Sequence, residues 1–231
     1  VVRRQRQMCI RDRYKDGKRY HYTWDDRFDS GFSWLGNIIS DHGAKLRNLD
    51  VAPSGANLKN ANVYIIVDPD TKKESENPNF ISGNDVKIIQ EWVKDGGNLL
   101  LMTNDTTNCE IHYSNELSKV FGIEFTNKNI NFVKNDQFQE GSISIPTHHE
   151  IFTNAQQIYV KELVTLKTKK PAVVQVKKGN DVIIASSVYG KGKVLVIGDP
   201  WLYNEYVNGR KLPDTFHNFE AATDLIKWLL K

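Results

Sequence analysis

The segment Lys193–Arg210, KVLVIGDPWLYNEYVNGR, decides the fold of this 231-residue chain. It opens with an apolar run, Val194–Ile197, of the kind that forms a strand buried on both faces of a parallel sheet. Polar and aromatic side chains follow directly after Gly198: Asp199, Trp201, Tyr203, Asn204, Glu205, Tyr206 and Arg210. Open α/β sheets form ligand crevices beyond the carboxyl ends of their strands. The segment therefore predicts either a ligand site or a strand-to-loop junction whose aromatic residues only cover the sheet.

Two further apolar runs, VYIIV at 63–67 and NLLLM at 98–102, predict neighbouring strands of the same sheet. Between them, Ser82 is placed to cap a helix over about Asn84–Asp95, which Gly96-Gly97 ends. A strand, a helix and a second strand in this order predict a parallel βαβ unit. We therefore expect an α/β fold with a parallel sheet flanked by helices.

The other predicted elements extend this sheet. Ser30 is placed to cap a helix to about His42, YHYTW at 20–24 predicts a short strand or an extended lead-in, and Phe219–Leu230 predicts a closing amphipathic helix. Residues 127–188 predict a β-rich insertion or antiparallel extension, with strands near Gln157–Val160, Leu163–Leu166, Ala172–Val176 and Val182–Ser187.

The first thirteen residues, VVRRQRQMCIRDR, show no helix or strand period. Their MCIRDR core resembles translated sequencing-adapter read-through, so we interpret residues 1–13 as a non-native tail; a natural basic arm is the alternative. Residues 14–231 are then a single α/β domain, a fragment of a protein that continues upstream of about Tyr14.

Composition excludes several classes of function. The net charge is +3, but residues 1–13 hold five Arg and one Asp, a net charge of +4, which leaves −1 on residues 14–231. A near-neutral body does not predict nucleic-acid binding. No apolar run approaches the ~20 residues that span a bilayer. The two cysteines, Cys9 and Cys109, and the unspaced pair His148-His149 predict neither a disulfide framework nor a metal site, and no sequence motif predicts a cofactor.

Three predicted strands each end in carboxylate or amide side chains, which should converge on one rim because the carboxyl ends of parallel strands share an edge. Carboxylates and amides beside aromatic rings suit sugars, because they bond hydroxyl groups and stack on C–H faces. Structural caps and loop anchors are the alternative reading of the same residues. The candidate ligand-binding rim comprises Trp24, Asp25, Asp26, Asp68, Asp70, Asn104, Asp105, Asp199, Trp201, Tyr203, Asn204, Glu205 and Arg210.

No nucleophile stands where one would be expected. In a glutamine-amidotransferase-like fold, the strand after the first βαβ crossover ends in a Cys-bearing elbow, whereas this chain has LLLMTNDTTNC at 99–109. Asn104 or Asp105 stands at the elbow, and Cys109 falls several residues later. We therefore predict no catalytic residues, although paired carboxylates such as Asp199 and Glu205 leave glycoside hydrolysis open.

Four segments carry a resemblance to a known family: YHYTWDDRFDSGFSWLG, VYIIVDPDTKKE, WVKDGGNLLLMTND and GDPWLYNEYVNGRKLP. Over about residues 14–231 the chain resembles a degenerate glutamine-amidotransferase-like domain. This domain lies at the C-terminal end of many Bacteroidetes unsaturated rhamnogalacturonyl hydrolases and related unsaturated glucuronyl hydrolases. The resemblance implies a flavodoxin-like sheet and an upstream (α/α)-toroid domain that carries the catalytic residues, which have no counterparts here. It also implies a periplasmic or secreted, pectin-degrading parent enzyme.

These observations predict an accessory, non-catalytic domain that binds a pectic oligosaccharide at the rim or packs on the hydrolase domain. One alternative is a glycan-acting hydrolase in its own right that uses the rim carboxylates. A second alternative is a purely structural or oligomerisation domain.

Overall fold

The computed structural model describes residues 6–11, 14–15, 18–19, 21–69, 71–73 and 78–231. In these residues the strands are β1 (Arg6–Arg11), β2 (Tyr14–Lys15), β3 (Lys18–Arg19), β4 (Ala44–Leu49), β5 (Val63–Val67), β6 (Asn98–Met102), β7 (Ile123–Ile130), β8 (Ser142–Ser144), β9 (Gln157–Tyr159), β10 (Leu163–Thr168), β11 (Val173–Lys178), β12 (Asp181–Tyr189) and β13 (Gly192–Ile197). The helices are α1 (Ser33–Asp41), α2 (Gly55–Leu58), α3 (Gly83–Lys94), α4 (Ile111–Ser118), α5 (Asn204–Val207) and α6 (Asn218–Leu230), with 3-10 turns at Lys119–Phe121 and Phe138–Gly141.

The main sheet has a parallel half and an antiparallel half. Strands β4, β1, β5, β6 and β13 lie side by side in that order, and every neighbouring pair among them is parallel. In chain order these are the second, first, third, fourth and fifth strands, which is the flavodoxin-like arrangement. Strands β12, β10 and β7 continue the sheet antiparallel, with β11 beside β12. The predicted fold class and its β-rich extension are confirmed.

The core lies on both faces of the parallel half. Along β5, Val63, Ile65 and Val67 point to one face and Tyr64 and Ile66 to the other, because successive side chains of a strand alternate. One face packs against α1 and α6, and the other packs against α3 and α4. No helix in the described residues is long and apolar enough to cross a membrane.

Helix α3 follows its predicted start closely. Ser82 Oγ accepts a hydrogen bond from the Asp85 amide at 3.2 Å, and Asp85 Oδ2 accepts one from the Ser82 amide at 3.0 Å. This capping box satisfies two amides at the helix start. A second capping box, between Ser54 and Asn57, begins the short helix α2.

Three sequence predictions near the amino terminus are wrong. Residues 6–11 do form a strand, because their backbone pairs with β4 on one side and β5 on the other, with Met8 in the core. Residues 21–24 form no strand, because His21 and Tyr22 have φ values of +54° and +48°. Ser30 does not cap α1, since its Oγ lies 2.8 Å from His21 Nδ1 and the helix begins at Ser33. The origin of residues 1–13 stays a prediction, and Tyr20 lies outside the described residues.

Candidate functional site

The carboxyl ends of β5, β6 and β13 lie side by side, as expected for the candidate rim. The Asp68 amide donates to the Met102 carbonyl at 2.7 Å, and the Thr103 amide donates to the Ile197 carbonyl at 3.1 Å. These bonds continue the strand pairing past the strand ends. The residues that follow the three strands therefore occupy one edge of the sheet.

A hydrogen-bonded group forms at this edge. Tyr22 Oη donates to Asp68 Oδ2 at 2.6 Å, and Asn104 Nδ2 donates to the same oxygen at 3.2 Å. Asp68, like Tyr22, has a positive φ, +43°, which is uncommon for residues other than glycine. Tyr203 Oη lies 3.4 Å from Tyr22 Oη. We call these four residues, with the neighbouring Asp199, the carboxyl-edge cluster.

Asp199 is the most unusual member of the cluster. It is 3% exposed, and no described residue donates a hydrogen bond to its Oδ1. Burial raises the pKa of the Asp199 carboxyl well above its usual value, and the charge of Asp68 raises this pKa further, while Lys161 opposes the shift. Burial, with the neighbouring Tyr22 and Asp199, also raises the pKa of Tyr203 well above its usual value. Burial beside Asp68 therefore disfavours the ionised form of Asp199.

The side chains at the elbow position after β6, Asn104 and Asp105, are hydrogen-bonded within the protein. Asp105 is 6% exposed, and its Oδ1 accepts hydrogen bonds from the Thr107 amide, at 2.7 Å, and from Thr107 Oγ1. Its Oδ2 accepts from Asn108 Nδ2 at 2.6 Å. Cys109 is buried at the end of this turn, and its amide bonds the Asp105 carbonyl. Asp105 thus holds a turn, and Asn104 holds Asp68.

Asn204 fixes the loop before α1. It is fully buried, and its Nδ2 donates to the carbonyls of Asp26 at 2.9 Å and Phe28 at 2.8 Å. Its Oδ1 accepts from the Trp34 amide at 2.9 Å and from Ser33 Oγ at 3.3 Å. Asn204 therefore satisfies an unpaired amide at the start of α1, the role that the sequence analysis gave to Ser30.

An ion-paired group lies on the outer side of the same loop. Lys211 Nζ donates to Asp29 Oδ2 and to Glu205 Oε2, both at 2.6 Å, and Arg210 Nη2 donates to Asp29 Oδ1 at 2.9 Å. The hydrogen bond from Lys211 is the main cause that lowers the pKa of Asp29. Glu205 and Arg210 are thus engaged in loop contacts, and the sequence analysis missed their partners Asp29 and Lys211.

The remaining candidate residues do not join the cluster. Trp24 Nε1 donates to the Arg47 carbonyl at 3.3 Å, Asp25 is exposed, and Asp26 Oδ1 accepts from the Phe28 amide at 2.8 Å. Trp201 is fully buried against Phe152. Asp70 lies outside the described residues. Among the residues that the structure describes, no group of three His, Cys, Asp or Glu side chains could hold a metal ion.

The sequence analysis also missed an open groove beside this segment. Trp34 and Phe219, respectively 41% and 43% exposed, line a groove of about 330 Å³ between the start of α1 and the α5–α6 connection. Both are the second residue of their helix. Other lining residues include Tyr206, Asn208, Asp214, His217 and Glu220. We call this feature the Trp34–Phe219 groove; the sequence signal for it was an aromatic residue on the polar side of each amphipathic helix.

No protein-family model matches the chain, and a search of curated proteins finds no similar sequence. The structure is similar to the mmIFT52 N-terminal domain (TM-score 0.71, 17% identity, 96% of each chain). It is also similar to cytoplasmic protein STM1381 from Salmonella typhimurium LT2 (TM-score 0.63, 13% identity, 97% of this chain and 98% of that one). A β-galactosidase from Bacillus circulans sp. alkalophilus aligns with 97% of this chain over 30% of its own length (TM-score 0.56, 12% identity). At these identities the similarities establish an α/β fold shared by all three proteins.

Proposed function

We propose that this chain is an accessory, non-catalytic domain of a rhamnogalacturonan-degrading glycoside hydrolase, and that it binds carbohydrate or packs on the hydrolase domain. The observation that carries the proposal is the engagement of the elbow position. Asn104 bonds Asp68, and Asp105 closes its own turn, so neither side chain is available as a nucleophile. Asn104 and Asp105, which follow β6, therefore support the fold.

The parent enzyme enters this proposal through the sequence resemblance. A domain of this fold accounts for about a third of the exo-β-1,4-mannosidase Op5Man5 and of the Bacillus circulans β-galactosidase, since the chain aligns with 35% and 30% of them. Glycoside hydrolases can thus contain such a fold beside other parts of the chain. We propose the same arrangement here, with an (α/α)-toroid hydrolase domain in a periplasmic or secreted parent.

A hydrolase in its own right is the second candidate, and Asp199 is the observation that favours it. A carboxyl with a raised pKa suits a general acid. However, Asp199 is 3% exposed, and its suggested partner Glu205 is ion-paired with Lys211 at 2.6 Å. Two carboxylates that flank an accessible glycosidic bond are the requirement for this chemistry. The accessory function therefore fits the geometry better.

Rhamnogalacturonan oligosaccharides provide the test. We expect calorimetry to detect weak binding by the full chain, and a reducing-end assay to detect no turnover above that of Asp199→Asn. Turnover that is lost in Asp199→Asn would instead establish the hydrolase. Absence of both binding and turnover, together with a lower melting temperature of the parent enzyme after deletion of the domain, would leave only the structural role.

A further inference from the structure

The Trp34–Phe219 groove offers aromatic surface that the fold itself does not cover. Phe28, on the loop that Asn204 holds, is also exposed, whereas the nearby rings of Phe32 and Phe216 are buried. Trp34 is the most exposed of the five tryptophans, and its indole N–H is bonded to no described residue. A groove of about 330 Å³ lies at the small end of ligand pockets, which span roughly 300–1,000 Å³. Its size therefore suits one or two sugar rings.

Buried asparagines hold the helix turns that carry the two aromatic residues. Asn204 Oδ1 accepts from the Trp34 amide at 2.9 Å, which fixes the first turn of α1. Asn218, next to Phe219, donates through Nδ2 to the Tyr159 carbonyl at 2.9 Å and accepts through Oδ1 from the Tyr159 amide at 2.8 Å. These contacts fix the first turn of α6 against β9. A preorganised aromatic surface loses little entropy when it binds a ligand.

Polar groups suited to hydroxyl binding border these rings. Asp214 and Glu220 are exposed, and neither carboxylate bonds any other residue in the described part of the chain. Asn208 uses its Oδ1 for the Arg210 amide at 2.8 Å, and its Nδ2 remains able to donate. His217 Nδ1 accepts from the Gln156 amide at 3.3 Å, which places the ring proton on Nε2. Carboxylates, an amide and an imidazole beside two aromatic rings are the side chains that recognise sugars.

The charge of the groove distinguishes between two kinds of sugar. Its two unpaired carboxylates would repel a uronate, and Glu220 already occupies the positive end of the α6 dipole. The nearby cation Lys211 is engaged with Asp29 and Glu205. A hydroxylated ring without charge avoids this repulsion, and its hydroxyl groups can donate to the carboxylates.

We propose that the Trp34–Phe219 groove binds a neutral sugar ring, which stacks on Trp34 and Phe219 and donates hydroxyl hydrogen bonds to Asp214 and Glu220. The inference rests on the carbohydrate-binding form of the proposed function and supplies its site and its preferred sugar. In rhamnogalacturonan, this neutral sugar is the deoxyhexose and not the uronate.

The test uses the full chain with methyl α-L-rhamnopyranoside as the neutral probe and digalacturonate as the anionic probe. Binding is measured by calorimetry and by the protection of tryptophan fluorescence from iodide. We expect millimolar binding of the neutral probe, weakened about tenfold or more by Trp34→Ala and by Phe219→Ala. Tyr113→Ala, an aromatic residue of similar exposure on α4, is the matched control and should bind as the wild type does.

A second part of the experiment tests the acidic residues of the groove. Glu220→Gln should strengthen binding of digalacturonate, because it removes a repelling charge, and should change binding of the neutral probe by less. Tighter binding of digalacturonate than of the neutral probe to the wild type would overturn the preference for neutral sugar.

The experiment distinguishes an error in the proposed sugar site from an error in the proposed carbohydrate-binding function. If oligosaccharides bind without turnover but Trp34→Ala and Phe219→Ala bind as tightly as the wild type, the groove is excluded and the proposed function stands. If no saccharide binds the wild type, the binding form of the function fails together with the groove. If the two variants instead abolish self-association of the chain, the groove is a protein contact and the inference is wrong.

Discussion

The carboxyl-edge cluster and the Trp34–Phe219 groove both contain residues of the segment Lys193–Arg210. The carboxylates of the cluster are buried, whereas those of the groove are exposed. In the cluster, Asp68 and Asp199 are 2% and 3% exposed, beneath Tyr22 and Tyr203. In the groove, Asp214 and Glu220 are exposed beside aromatic rings. Polar residues that follow strands can therefore be used to hold loops, while an open surface arises where two helices begin. The following predictions test that contrast.

The largest expected loss of stability follows removal of the Asn204 side chain, which comes directly after Tyr203 of the cluster and bonds the amide of Trp34 in the groove. Asn204→Ala leaves the carbonyls of Asp26 and Phe28 and the amide of Trp34 without their partner, and it should lower the free energy of unfolding by about 3 kcal/mol. Urea denaturation measures this change. Asn208→Ala removes only one local bond and should cost less than about 1 kcal/mol. Equal costs for the two variants would show that Asn204 does not hold the loop.

A smaller decrease in the free energy of unfolding is expected for substitutions in the carboxyl-edge cluster. Tyr22→Phe removes the 2.6 Å hydrogen bond to Asp68 and should cost about 1.5 kcal/mol, the usual range for a bond to a charged group. Tyr203→Phe removes only the 3.4 Å contact with Tyr22 and should cost about 0.5 kcal/mol. Chemical denaturation of both variants at neutral pH gives the comparison. A larger cost for Tyr203→Phe would mean that the hydrogen bonds of the cluster are assigned wrongly.

The next effect is a gain of stability that depends on pH. The folded-state pKa of Asp199 is raised above its ordinary value of 3.8, so between these two values the folded protein holds more protons than the unfolded chain. Stability therefore decreases as pH rises through that window. Asp199→Asn is neutral at every pH, so it should be more stable than the wild type above the window, and the gain should shrink as pH falls through the window and be absent below about pH 4.

Thermal unfolding from acid to neutral pH measures this gain, with Asp214→Asn as the control. The Asp214 carboxyl is exposed, so its variant should follow the wild-type curve. A destabilised Asp199→Asn at neutral pH would indicate that Asp199 is ionised in the folded protein.

The smallest effect is expected for the exposed ion pairs. Arg210 and Asp29 are about half exposed, so Arg210→Ala should leave the urea midpoint unchanged within error at physiological salt. Any decrease in stability that Arg210→Ala shows in low salt should disappear as salt is added. A loss that persists in high salt would give Arg210 a role in packing.

The sequence predicted β5, β6 and β13 of the parallel half because their signals are local, and it missed β1. The runs at 63–67, 98–102 and 194–197 are continuous apolar segments, and Ser82 with Asp85 forms a capping box within four residues. The start of α1 could not be predicted in this way. Its amide is satisfied by Asn204, which is 170 residues away in the chain, so only the folded structure places the helix start at Ser33.

The candidate site was predicted in part. The convergence of Asp68, Asn104 and Asp199 followed from the parallel strands, but the burial of Asp68 and Asp199 did not. The sequence gives no sign that Tyr22 reaches Asp68 from a distant loop. The groove was missed because Trp34 and Phe219 lie far apart in sequence and each looks like an ordinary helix residue. The role of the rim as a ligand site stays a prediction.

The most direct test of the central claim is to map the amide chemical shifts of the full chain during titration with rhamnogalacturonan oligosaccharides. We predict shifts around Trp34, Asn208, Asp214 and Phe219, with no hydrolysis of the ligand. Shifts confined to Asp68, Asn104 and Asp199 would contradict this account and would return the ligand site to the carboxyl edge of the sheet.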